Sequence, residues 1–308
     1  MNIRDYIIFI IILLVIGCDG SYQSNDDEMV TELKKNDLKF VAVGDSGTIL
    51  ISNDGLSWSQ KSSGTTKDLN GIIFGNNLFI GVGKYGTILN SPYGNSWTST
   101  SSGILTELKG ITFGNDTFVS IGVSGKILTS LDGSLWGVKT SSTSNRLNSV
   151  IYGNSTFVVV GESGTILSSS SGNSWTSRTS TTGNELHDVT FGNNKFITVG
   201  ASGFILTSDD GTTWSSISSG TVNVLRSIYY ANNIFVIVGD NGTILKSNDG
   251  SSWSTINSGI SDQLLSVNYG KNKFVAVGDS GVIITSTDGL SWTVRTSGTS
   301  KILRDIDF

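Results

Sequence analysis

Apolar and polar positions alternate in short blocks along almost the whole chain. Runs such as Phe40-Val41-Ala42-Val43 and Thr48-Ile49-Leu50-Ile51 are separated by stretches of Gly, Asn, Asp and Ser. Blocks this short, filled with Phe, Val, Ile, Thr and Trp and bounded by turn residues, read as β-strands. The three-to-four-residue spacing of an amphipathic helix is almost absent. The blocks also recur. Trp58, Trp97, Trp136, Trp175, Trp214, Trp253 and Trp292 lie at constant intervals of 39 residues. Each closes a phrase like Ser52-Asn53-Asp54-Gly55-Leu56-Ser57-Trp58, and upstream of each stands a phrase like Val43-Gly44-Asp45-Ser46-Gly47-Thr48-Ile49-Leu50. Downstream comes Leu-x-x-Ile/Val-x-Phe/Tyr, starting at Leu69, Leu108, Leu147, Leu186, Leu225, Leu264 and Leu303.

One repeat therefore predicts four strands, at 69–74, 78–83, 87–91 and 97–101 in the best example, called A to D here. Four antiparallel strands per ~40 residues, repeated, are the signature of a β-propeller blade. A parallel β-helix has a shorter coil and does not need a hairpin turn between all its strands. The length of 308 residues alone favours two domains, but the repeat predicts one all-β, seven-bladed propeller over 37–308. The first copy has a poor strand A (Val30, Leu33 and Lys35), and the good seventh copy, Leu303, Ile306 and Phe308, stands at the other end. The last strand, about 301–308, is thus expected to serve as the innermost strand of the blade formed by 38–62. Such closure removes the exposed edge of an open array.

The Ser-x-Asp-Gly-x-x-Trp phrase resembles the Asp-box, or BNR repeat, of sialidases and other propellers. Gly supplies a backbone conformation that other residues resist, the carboxylate accepts hydrogen bonds from turn amides, and the Trp is a wedge between blades. Structural roles are therefore expected for Asp54, Asp132, Asp210, Asp249 and Asp288 and for the seven tryptophans. They fall one per blade and share no common point, so neither catalysis nor metal binding is expected of them. Tyr93 and Ser171 replace the Asp in two copies; a Ser hydroxyl caps weakly, a Tyr does not reach, and Pro92 stiffens the first of these turns. The Gly-Asp-Ser-Gly at 44–47 and 278–281 mimics a serine-protease nucleophile. The same slot holds Lys84-Tyr85 and Val123-Ser124 elsewhere, and a triad needs a nearby His base. The longer phrase from Val43 to Trp58 is similar to the repeat of the photosystem II stability and assembly factor propellers, across all seven copies. That resemblance implies a seven-bladed, non-enzymatic scaffold that binds other proteins.

Residues 1–17 read differently. Ile7 to Ile16 is an unbroken apolar run, too short for a membrane-spanning helix and suited to a signal peptide. It ends in Val15-Ile16-Gly17-Cys18, which resembles the lipobox of bacterial lipoproteins. Cys18 is the only cysteine and is expected to carry the lipid; the alternative is an ordinary signal peptide with an incidental Cys. Residues 18–36, polar and acidic at Asn25-Asp26-Asp27-Glu28, read as a tether. The expected location is the bacterial cell envelope, on the periplasmic side of a membrane or at the cell surface, with the membrane engaged through the N-terminal lipid.

Composition removes further classes. A net charge of −5 argues against nucleic acid. One Cys and one His exclude a disulfide framework and a Cys-based zinc site, and no metal or cofactor is expected. Candidate binding residues come from positions that break the repeat. After the strand-A leucine, Lys109, His187, Arg226 and Arg304 depart from Asn70, Asn148 and Leu265; before it, Arg146 stands among Asp68, Glu107, Glu185, Val224, Gln263 and Ile302. Lys109, Arg146, His187, Arg226 and Arg304 are expected to ring the mouth of the central channel, with Asp45, Glu162, Asp240 and Asp279 on the same face. Tyr85 and Tyr229 are aromatic departures, Tyr229 facing the channel and Tyr230 the core.

Two readings of the ring stand side by side: a binding face for a peptide or an anionic group, and a set of solvated loop charges. The function expected is a lipid-anchored, monomeric binding or assembly scaffold for a protein or peptide partner. Alternatives are a surface adhesin and an exo-sialidase, the latter requiring three converging arginines and a Tyr–Glu pair.

Overall fold

The computed structural model describes residues 39–308. Its strands form seven separate four-stranded antiparallel sheets, a seven-bladed β-propeller. Blade 2 shows the plan: strand A at Leu69–Gly75, B at Leu78–Gly83, C at Thr87–Ser91 and D at Thr98–Ser101. Sequence boundaries differ from this by one residue at the end of A and the start of D. Blades 3 to 7 repeat it, with strand A starting at Leu108, Leu147, Leu186, Leu225 and Leu264. Blade 1 takes its inner strand, Leu303–Asp307, from the far end of the chain, against Phe40–Gly44 as strand B. Val41 pairs with Asp307 and Ala42 with Ile306. The signal peptide, Cys18 and the tether lie outside the described residues.

The apolar cores lie between blades. One seam joins Val41, Val43, Ile49 and Ile51 of blade 1 to Leu69, Ile72, Phe79 and Leu89 of blade 2, with Trp97 against it. The closing seam joins Val275, Val277 and Ile283 of blade 7 to Phe40, Ala42, Leu50, Leu303 and Ile306, with Trp58 and Phe308 against it. One Phe per blade, from Phe40 to Phe274, is at most 2% exposed. This packing is why a lone repeat has nothing to bury itself against.

The repeated turns behave as their chemistry demands. Asp54 Oδ1 accepts the Leu56 and Ser57 amides at 2.8 and 3.0 Å, Ser52 Oγ accepts the Gly55 amide at 2.8 Å, and the Trp58 indole donates to the Gly55 carbonyl at 3.2 Å. Asp132, Asp210, Asp249 and Asp288 hold their turns in the same way. Where Ser171 replaces the Asp, its hydroxyl reaches only the Asn173 amide, at 3.4 Å. Gly47 of a B–C turn has φ +71°, and a Cβ there would stand 2.1 Å from the Thr65 carbonyl oxygen, so this slot admits no side chain.

An A–B–C–D meander puts the A–B turns and the C–D loops, which carry the Asp turns, on one face of the ring. The B–C turns and the D–A connections share the other face, which is the mouth.

Candidate functional site

Strand A is the innermost strand of each blade, so its channel-facing edge lacks a ladder partner and its side chains line the axis. These residues enclose a cavity of about 440 Å3. Lys109, Arg146, His187, Arg226 and Arg304 all line it, as does Tyr229. Tyr230 instead packs its ring 4.5 Å from that of Phe235, in the seam as expected.

The ring of cations is a ring of ion pairs. Arg226 grips Asp240 through two contacts, Nε to Oδ1 at 2.7 Å and Nη2 to Oδ2 at 3.1 Å, and Gln263 also donates to this carboxylate. Arg304 pairs with Asp45, and Arg146 with Glu185 at 2.5 Å. The Arg146 backbone amide donates to Glu162 at 3.1 Å. Lys84 holds Asp68 at 2.6 Å, and Asp68 also accepts the Ser46 amide of the preceding blade at 2.8 Å. Burial pulls the Asp240 carboxyl upward, but its bonds to Arg226 and Gln263 outweigh burial and hold it below its ordinary value. Lys109 stands 3.6 Å from Glu107, looser than the arginine pairs, and burial lowers its ammonium despite that neighbour. His187, 3.8 Å from Glu185, is pushed down to about 4 by burial and by the charge of Arg226, so it is neutral at pH 7.

Three channel carboxylates escaped the sequence reading. Asp188 Oδ2 accepts the Ile228 amide at 2.8 Å and Oδ1 the Ser149 hydroxyl at 2.6 Å. Asp305 accepts the Ile72 amide at 2.9 Å and the Ser266 hydroxyl at 2.6 Å. Asp307 accepts the Phe74 amide at 2.5 Å and the Asn268 side chain at 2.7 Å. Each carboxylate satisfies an edge amide of the next blade and a side chain of the previous one. Burial raises Asp188 above its ordinary value and pushes Asp305 and Asp307 up to about 7, against the pull of these hydrogen bonds. The signal was available in the repeat: Asp305 stands where other copies have Gly71, Gly110 and Ser149, and Asp307 where they have Ile73 and Thr112.

Around the mouth, three apolar side chains project into solvent: Tyr85 is 62% exposed, Leu105 83% and Val222 85%. Tyr85 occupies the left-handed position of its B–C turn, with φ 57°, where most other copies have Ser. A bulky side chain is costly there. The Lys67 ammonium lies 5.5 Å from the centre of its ring. Leu105 follows Ile104, whose carbonyl packs against Gly86 of the Tyr85 turn, so the two apolar groups sit on adjoining loops.

Arg146, Arg226 and Arg304 line one channel, yet each already holds an acid, unlike the open arginine triad that the sialidase reading requires. Among the described residues, no group of three or more His, Cys, Asp or Glu is placed to hold a metal ion.

No family model matches the sequence, and no curated protein does. Solved structures do. "YCF48 bound to D1 peptide" matches with a TM-score of 0.66 at 19% identity, covering 80% of this chain and 87% of that one. "YCF48 from Cyanidioschyzon merolae" matches with a TM-score of 0.60 at 19% identity, covering 77% and 87%. The computationally designed Ika8 protein matches with a TM-score of 0.65 at 16% identity, covering 88% and 87%. At these identities the likeness is one of fold. The structural neighbours thus include propellers of the photosystem II assembly factor kind to which the repeat phrase is similar.

Proposed function

We propose that this protein is a lipid-anchored scaffold whose channel-mouth face holds a peptide segment of a partner protein. The observation that carries the reading is the mouth itself: exposed Tyr85 and Leu105 on adjoining loops beside a ring of alternating acids and bases over a 440 Å3 channel. Exposed aromatic and aliphatic side chains beside charged groups are what peptide-docking surfaces use. The paired state of the arginines favours a peptide of mixed charge over a lone anion, which would have to displace Asp240 or Asp45. A neighbouring fold solved with a bound peptide supports the same reading. The lipid on Cys18 and a cell-envelope location belong to this proposal, and the mass of the N-terminal peptide of chain purified from membranes tests them.

The mouth is tested by crosslinking and affinity capture from native membranes. Arg226→Glu would set a second carboxylate against Asp240, so it reports on folding as well as on binding. Tyr85→Ala with Leu105→Ser leaves every ion pair in place. This double variant is expected to reduce capture of the crosslinked partner about tenfold, the loss of roughly 1.4 kcal/mol, with an unchanged melting temperature. Equal capture by variant and wild type would refute the mouth as the docking face.

A further inference from the structure

The face opposite the mouth is divided. Its outer rim is built from the seven C–D loops, and in four consecutive blades these loops carry exposed apolar tips. They are Leu290 in blade 7 (50% exposed), Leu56 in blade 1 (40%), Tyr93 in blade 2 (67%) and the pair Leu131 and Leu135 in blade 3 (71% and 80%). Blades 4, 5 and 6 have Ser170 and Asn173, Asp209 and Thr213, and Asn248 and Ser252 in the corresponding loops. The Asp turns of blades 1, 3 and 7 are held in the same way as those of blades 5 and 6, so the fold does not require the leucines. At the Leu135 position every other blade has Ser or Thr.

The described chain enters the propeller inside this apolar half, at Lys39, immediately before strand B of blade 1. Lys39 Nζ lies 3.3 Å from Asn95 of the blade 2 loop. Lys271 stands 5.6 Å over the Phe308 ring, and the Lys273 stem packs against Gly55 of the blade 1 loop. Three lysines therefore lie on this half of the face, beside the C–D loops of blades 1 and 2 and the Phe308 ring. Leucine and tyrosine tips flanked by lysines, whose stems lie on apolar surface while their ammonium groups stay wet, are the composition of a surface that rests in a lipid interface.

We propose that the half-rim of blades 7, 1, 2 and 3 rests on the lipid surface that holds the N-terminal anchor. The inference rests on the lipidation of Cys18 for its choice of occupant. The chain from Cys18 to Lys39 reaches at most about 70 Å and joins the propeller in the middle of the apolar half, so this half can meet the surface that holds the anchor. The channel mouth, on the other face, then opens away from the membrane toward its partner.

Cys18 is the only cysteine, so a lipidated chain leaves one introduced thiol to label. The full chain is prepared as Leu135→Cys and, separately, as Asp209→Cys, both at exposed positions, and labelled with an environment-sensitive fluorophore. It is then placed on phosphatidylethanolamine–phosphatidylglycerol vesicles that contain a spin-labelled lipid. Quenching at 135 is expected to exceed that at 209 on the order of threefold, and Leu56→Ser with Leu131→Ser should reduce the difference. Equal quenching at the two sites in a chain whose Cys18 carries lipid overturns the docking while leaving the anchor intact. Burial of the 135 probe without vesicles, rising with protein concentration, assigns the rim to a second copy and also overturns the proposal. Should the N-terminal peptide lack lipid, the measurement is made in Cys18→Ser: asymmetric quenching there sustains the docking and removes the anchor reading, and equal quenching removes both.

Discussion

The outer rim and the inner channel of this propeller are made of the same seven repeats but held by opposite kinds of bond. On the rim, Asp54 closes a turn with amides two and three residues away, and the pattern recurs almost unchanged around the ring. In the channel, Ser149 reaches Asp188 across 39 residues, Asp305 reaches the Ile72 amide across 233, and Arg304 reaches Asp45 across 259. Rim residues repeat because each copy solves the same local problem of chain reversal. Channel residues vary because each bond joins two different blades. A position that repeats therefore informs about the fold, and a position that departs informs about closure or recognition.

Removal of residues 301–308 tests the inner half of this contrast most severely. It takes Leu303 and Ile306 from the closing seam, uncovers strand B of blade 1 and deletes both carboxylates that staple blade 1 to blade 2. The truncated chain is expected to show no cooperative thermal transition by circular dichroism; a melt equal to that of the intact chain would show that the ring does not depend on its closing strand.

The buried carboxyls give a smaller, pH-dependent effect. Asp305 and Asp307 are pushed up to about 7 in the fold from an ordinary value of 3.8. Their contribution is therefore complete below about pH 4 and is lost as the pH rises through 7. His187 acts in the opposite sense: its group is pushed down to about 4 from 6.5, so its contribution is lost as the pH falls from 6.5 through 4. Above pH 6.5 His187 no longer acts, and the buried carboxyls carry the fall in stability. The melting temperature should fall by several degrees between pH 6 and pH 8, since ~1 kcal/mol moves a domain of this size by about 2–4 °C. Asp305→Asn with Asp307→Asn should flatten that slope, and an unchanged slope would mean that the staples do not bear this titration.

The smallest effect belongs to the rim. Asp54→Ala removes the acceptor for the Leu56 and Ser57 amides of one exposed turn. Loss of a turn cap of this kind lowers the melting temperature by about 2–4 °C, with no change in its slope between pH 6 and pH 8. A loss as large as that of the closing strand would erase the distinction between rim and channel.

The blade count, strand order and closure were legible because they follow from a period. The constant spacing of the tryptophans, the poor strand A before Leu38 and the good one at Leu303 are visible without coordinates. The channel-facing positions of Lys109, Arg146, His187, Arg226 and Arg304 were legible for the same reason, since a residue next to the strand-A leucine must face the axis in every blade. Their pairing was not. Asp45 and Asp240 were placed on the same face, but whether they meet Arg304 and Arg226 depends on the approach of side chains from different strands, and across the closure in one case. Asp188, Asp305 and Asp307 do break the repeat, but nothing in the sequence names what they bind; their role appears only when the edge amide of the next blade comes within 3 Å.

The sequence by itself determined the repeated part of this protein: seven blades, the turn chemistry of each, and a ring shut by its own two ends. These follow from local backbone preferences and a fixed period, and both are written in consecutive residues. Only the tertiary structure decided that the cationic ring is neutralised by acids and that three buried carboxyls tie blade to blade. Each depends on distances between residues dozens to hundreds apart in the chain, which the closed ring alone brings within reach of a hydrogen bond.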